Sequence, residues 1–161
     1  MAYIPEDARW YLADILLEHT VENDPRNVVH TNTHLIEAES PDQAYEKAVA
    51  LGRAGEMEYA NTDGKQVRTV FRGLRSLSVI HEPLEDGAEL AYYESVGVSE
   101  DELRRWALPR EELGVFRPRR RKRDIPNYEA ESVMRMLEDL GFDRELIDQD
   151  EDAPGDSPSE A

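Results

Sequence analysis

The chain has 161 residues, 36 of them acidic and 19 basic, for a formal charge of −17, and it contains no cysteine. That composition excludes a disulfide framework, a cysteine-ligated zinc site and a cysteine nucleophile. No run approaches the roughly 18 consecutive apolar residues of a membrane-spanning helix. The opening Met1-Ala2-Tyr3-Ile4-Pro5-Glu6 lacks the basic and apolar regions of a secretion signal, so a cytoplasmic protein without a membrane partner is expected.

Residues 9–21 are rich in aromatic and aliphatic side chains and read as a long strand. A polar loop around Asp24-Pro25 leads into a second strand over Val28–Glu39, so the two form a hairpin with a long connection. Ser40 then supplies a helix cap, Pro41 the first helical position and Asp42 an acid in the first turn. Ala44, Ala48 and Leu51, with Tyr45 and Val49 beside them, make an apolar stripe that ends at Gly52 or Gly55. Met57–Ala60 and Val67–His81 read as strands joined by a turn at Asp63-Gly64, with Gly73 marking a bulge or a bend. After a turn at 83–87, Glu89–Val96 is expected as a fifth strand and Glu100–Ala107, capped by Ser99, as a short helix presenting Leu103 and Trp106. The predicted fold is therefore α+β: an antiparallel sheet of about five strands with helices on one face.

The texture changes after Phe116. Residues 1–116 carry eleven cations against 23 acids, residues 117–124 six cations and one acid, and residues 125–161 two cations and twelve acids. This ordering divides the chain into an α+β domain over 1–116, a basic linker over 117–127, a helical segment over 128–147 and a disordered acidic tail over 148–161. The helix is expected over Glu129–Leu140, with Val133, Met136, Leu137 and Leu140 on one face and Phe142, Leu146 and Ile147 extending a helical pair.

Trp10-Tyr11-Leu12-Ala13, the run Glu37-Ala38-Glu39-Ser40-Pro41-Asp42-Gln43-Ala44 and Phe71-Arg72-Gly73 carry a family resemblance. Over roughly residues 9–96 the chain resembles a family of small bacterial proteins known as a domain of unknown function, the 4288 series. The resemblance implies a compact α+β domain of bacterial origin with no assigned reaction, and it carries no catalytic residues.

Several constellations bear on chemistry. His30 and His34 lie four apart on a strand and share a face, and hairpin symmetry sets His19 opposite His30. Three such imidazoles suit zinc or nickel, with Glu18 or Glu37 as a further ligand if the register shifts; scattered histidines on a solvated edge are the plainer reading. Ser76 and Ser78, near His81, are the serines placed for nucleophilic work, yet there is no Gly-x-Ser-x-Gly elbow, no glycine-rich phosphate loop and no His-Glu-x-x-His helix. No catalytic residue and no cofactor is therefore assigned. Arg68 and Arg72, joined by Arg75 if Gly73 marks a bulge, form a row that suits a polyanion beside the aromatic platform of Tyr92 and Tyr93, or else pairs across strands with Glu58, Glu89 or Glu94.

The run Arg117-Pro118-Arg119-Arg120-Arg121-Lys122-Arg123 suits nucleic acid, or the acids of residues 148–152 in the same chain or a second copy. A strongly acidic body repels a phosphate backbone at long range. The leading expectation is thus a non-enzymatic binding protein that presents an acidic, edge-exposed sheet to a protein partner or to a second copy, with the face of Val133, Met136, Leu137 and Leu140 as a docking stripe. Neutralising a basic partner fits the charge. An accessory nucleic-acid binder is the alternative, and a histidine-centred metal protein or hydrolase the third.

Overall fold

Alternation along the first strand fixes two faces, and the rest of the fold follows from which face is covered. The computed structural model describes Ile4, residues 8–117 and residues 124–141. Two units make up the chain: residues 1–93 with Pro126–Glu131, and Glu94–Ile125 with the residues from Ser132 onward.

In the first unit, β1 (Trp10–Val21), β2 (Asn27–Glu37), β3 (Met57–Ala60) and β4 (Gln66–Val79) form a curled antiparallel sheet in the order β2-β1-β4-β3. The odd residues of β1, among them Tyr11, Ala13 and Ile15, are buried beneath α1 (Pro41–Ala54). Ile36 and Ala38 complete this layer from β2 and its end. The helix lays Ala44, Ala48 and Gly52 against the sheet, three small residues one turn apart, so the backbones approach closely. Ser40 Oγ accepts the Gln43 amide at 3.2 Å, which makes it the cap expected from sequence.

β4 departs from simple alternation twice. Leu17 pairs with Phe71 and Leu16 with Gly73, leaving Arg72 as an extra residue; Ile15 pairs with Leu74 and Asp14 with Ser76, leaving Arg75 as another. Two bulges follow, and Gly73, at φ 122°, occupies backbone space that side-chain-bearing residues rarely enter. Each bulge restores the facing, so the core side chains of β4 run Val67, Thr69, Phe71, Leu74, Leu77, Val79. The bulge that Gly73 suggested is therefore real and doubled.

The expected fifth strand over Glu89–Val96 is not formed, and among the described residues the sheet has four strands. The Glu89 amide, which would begin a ladder, is instead taken by Glu82 Oε2 at 2.9 Å in the preceding turn. β2 stops at Glu37, because the chain must turn at Glu39 and Ser40 to enter the helix.

The second unit holds α2 (Glu100–Trp106) with a reciprocal capping box between Ser99 and Glu102, a single 3-10 turn at Arg110–Glu112, and most of α3 (Glu131–Asp139). No residue of α2 is buried, and Leu103 and Trp106 are exposed. α3 begins two residues later than expected, since Ala130 is still bridged to Asn61 in an extended conformation. Residues 118–123 of the basic run, the helical extension at Phe142, Leu146 and Ile147, and the acidic tail lie outside the described residues.

The close approach at Gly52 gives a direct test of the packing. A Cβ there would stand 2.3 Å from Phe71 Cδ2 and Cε2. Gly52→Ala gains helix propensity of about 1 kcal/mol but must displace a packed ring, so a net loss of about 1–3 kcal/mol is expected in urea unfolding. Ser40→Ala, which removes only the cap, is expected to cost about 1 kcal/mol by the same measurement.

Candidate functional site

Two regions of the first unit bring together chemistry-bearing side chains: a polar cluster at the Val21 end of β1, and a groove at the opposite end along β4.

The polar cluster centres on His19, 8% exposed on the helix-covered face of β1. The register pairs His19 with Val28 and His30 with Leu17, so the two histidines sit diagonally and not directly opposite. Their rings nonetheless meet, with His19 Nε2 3.1 Å from His30 Nδ1 and centroids 4.4 Å apart. On its other side His19 Nδ1 lies 2.9 Å from Thr69 Oγ1. Burial, and then the charge of His30, hold the His19 imidazole below its ordinary pKa. Tyr59 from β3 closes the cluster, its phenol pushed above the usual range by burial.

The third histidine is elsewhere. His34 pairs with Ala13, about 13 Å from His30 at roughly 3.3 Å per strand residue. Glu18 and Glu37 stand at positions of the opposite sheet face. Among the described residues no group of three or more His, Cys, Asp or Glu side chains is arranged to hold a metal ion.

Sequence reasoning missed what covers the histidines. Residues 126–131, read there as the end of a linker and the start of a helical segment, run back onto the sheet. The Tyr128 ring stacks on His19 at 5.3 Å and meets His30 edge-on at 5.1 Å. Tyr59 Oη donates to the Tyr128 carbonyl. Asn61, only 1% exposed, donates from Nδ2 to Asn127 O at 2.7 Å and accepts the Asp63 and Lys65 amides on Oδ1. Asn127 returns the contact by donating to Thr62 Oγ1 and Asp63 Oδ2, both at 2.8 Å. The one signal in the sequence is Pro126-Asn127-Tyr128, a buried-type aromatic after a turn former, directly following the charge run.

At the other end, a groove of about 650 Å³ is lined by Tyr11 and Ser76–Val79 on one side and by Glu89–Tyr93 on the other, with His81 and Glu82 between. The neighbouring edge of β4 is open: β3 pairs only with Gln66–Thr69, and beyond Thr69 no strand lies on that side among the described residues. Phe71 N–H is held there by Glu56 Oε1 at 3.1 Å. Tyr92 and Tyr93 stand 74% and 90% exposed at the groove. The serines considered for nucleophilic work line this groove, and Ser76 Oγ donates to Asp14 Oδ2 at 2.8 Å. With the Thr33 hydroxyl, which contributes more, this bond holds the Asp14 carboxyl below the usual carboxylate range.

The arginine row is engaged within the sheet. Arg68 pairs with Glu58 at 3.5 Å and Arg72 with Glu18 at 3.4 Å, while Arg117 pairs with Glu112 at 2.9 Å. Arg119, Arg120, Arg121, Lys122 and Arg123 lie outside the described residues. On α3, Val133 and Met136 are exposed, Leu137 is half-buried and Met134 is the buried residue, while Leu140, just past the helix, is exposed.

The buried amide of Asn61 ties the β3–β4 turn to residues 126–131, and its loss strands several polar groups at once. Asn61→Ala is expected to lower stability by about 2–4 kcal/mol in chemical denaturation; Asn127→Ala, at a less buried position, is expected to cost less.

No curated protein and no solved structure matches the chain. A family model does, over residues 10–92, which span all four strands, α1 and the groove-lining segment up to Tyr92. By that match the chain belongs to the family described as Domain of unknown function (DUF4288).

Proposed function

We propose that the protein is a non-enzymatic, cytoplasmic binding protein that takes an extended, basic segment of a protein partner onto the open edge of β4. The observation that carries this reading is the imbalance of β4, fourteen residues long, laddered to β1 throughout but to β3 only over Gln66–Thr69. An unpaired strand edge is a template for an added strand, whose main-chain hydrogen bonds supply affinity while side-chain contacts supply choice. The groove beside Ser76–Val79 lies within the volume range of ordinary ligand sites. Among the described residues its ionised rim carries Glu82 and Glu89 and no lysine or arginine, and the whole chain is strongly acidic, so the segment that fits carries arginine or lysine. Tyr92 and Tyr93 add rigid aromatic surface of the kind that anchors interfaces. The exposed stripe of Val133, Met136 and Leu140 supports the same class of function.

The test uses a short fluorescent peptide alternating arginine and valine, with a glutamate–valine peptide as control, titrated into the full chain at low ionic strength. Saturable binding of the basic peptide alone is expected, with NMR shifts concentrated at amides 72–79. Glu82→Lys combined with Glu89→Lys is expected to weaken binding about tenfold, equivalent to ~1.4 kcal/mol. Absence of binding, or shifts confined to other parts of the chain, overturns the proposal. A dimer in sedimentation that blocks the same amides assigns the edge to a second copy instead, and tighter binding of labelled RNA favours the nucleic-acid alternative.

A further inference from the structure

We propose that His19, His30 and Tyr128 form an acid-sensitive latch that holds residues 126–131 against the sheet and releases them when both imidazoles are protonated. The inference is independent of the groove on β4 and rests on how two histidines share one proton. His19 Nε2 and His30 Nδ1 stand 3.1 Å apart, a separation that needs an N–H on one ring and a lone pair on the other. One proton on the pair preserves the bond; two protons leave two N–H groups aimed at each other and two like charges with ring centroids 4.4 Å apart. The second contact of His19, with the Thr69 hydroxyl, accepts either state because a hydroxyl both donates and accepts.

The surroundings offer the doubly charged pair little relief. From β4 the facing group is Thr69, from β3 the neutral phenol of Tyr59, and from the strap the ring of Tyr128. The end of α1 that reaches Leu17 carries Arg53, followed by Glu56, whose Oε1 is engaged by the Phe71 amide. On β2 the same face carries His34, four residues further on. The strap brings Glu129 and Glu131, each engaged with a partner of its own, and Asp63 beside it accepts from Asn127. Glu18 is occupied by Asn27 and Arg72.

The sign follows from linkage. Burial and His30 lower the His19 pKa from its usual 6.5 in the closed form, so the closed form binds fewer protons than the open one. Closure is therefore complete above about pH 6.5 and is lost progressively as the pH falls below it. Tyr128 covers both rings, so parting them moves the strap, and the strap runs directly into α3.

Heteronuclear NOE measurements on the full chain at pH 7.5 and 5.0 test the latch. The amides of residues 126–131 are expected to match the sheet at the higher pH and to fall toward chain-end values at the lower one, while the amides of Tyr11–Ile15 stay unchanged. His30→Gln, which keeps a neutral polar side chain, is expected to hold the strap ordered at both pH values. Tyr128→Ala is expected to show the released pattern already at pH 7.5. A strap that stays ordered in the natural chain at pH 5.0, equal loosening in His30→Gln, or loss of the sheet amides together with those of the strap would each overturn the latch.

Discussion

The ladder between β1 and β4 is the contact on which the rest depends. It runs from Val21–Val67 to Tyr11–Val79 and is interrupted only where Arg72 and Arg75 are inserted. Side chains alternate with a period of two, so without the first insertion Leu74, three residues after Phe71, would face away from the core, and without the second Leu77 would no longer share the face of Leu74. With them, Phe71, Leu74 and Leu77 all reach the layer beneath α1, and the local bending that bulges produce suits a curled sheet. Among the described residues the same geometry leaves no strand on the outer side of β4 beyond Thr69. Packing within and availability without thus come from one strand.

That edge is not left fully bare. Arg75 stands exposed at its bulge and the Phe71 amide is capped by a glutamate, while Arg72 and Ser76 reach the other way, to Glu18 and Asp14 of β1. Bulges and charged side chains are the usual defences of an edge against indiscriminate pairing. What remains accessible lies toward Val79, beside acids and tyrosines. In the binding mode we propose, charge and aromatic contact select the partner before the backbone holds it.

Much of this architecture could be read from local signals. Ser40-Pro41-Asp42 announced the helix, Asp63-Gly64 the turn, and Gly73 the irregularity, because each is a residue type tied to one backbone geometry. Glu89–Val96 misled because Leu90, Tyr92 and Tyr93 have strand composition, whereas a strand also needs a partner, and the Glu82 carboxylate had taken the Glu89 amide. The diagonal meeting of His19 and His30 was only half visible: facing was readable from parity, but register depends on how the loop at 22–26 closes, where Asn23 takes a positive φ. Tyr128 could not be placed at all, since its contacts, Tyr59, His19 and His30, are all far away along the chain, the nearest 69 residues off.

The return of Pro126–Glu131 to the sheet has an architectural consequence. The chain leaves the first unit after Tyr93 and rejoins it at Pro126, and the returning residues lie beyond the stretch matched by the family model. Closing such an excursion costs only about 0.6 kcal/mol more for each doubling of its length. On that scaling alone, the tie between the sheet and Pro126–Glu131 depends little on how many residues lie between Tyr93 and Pro126.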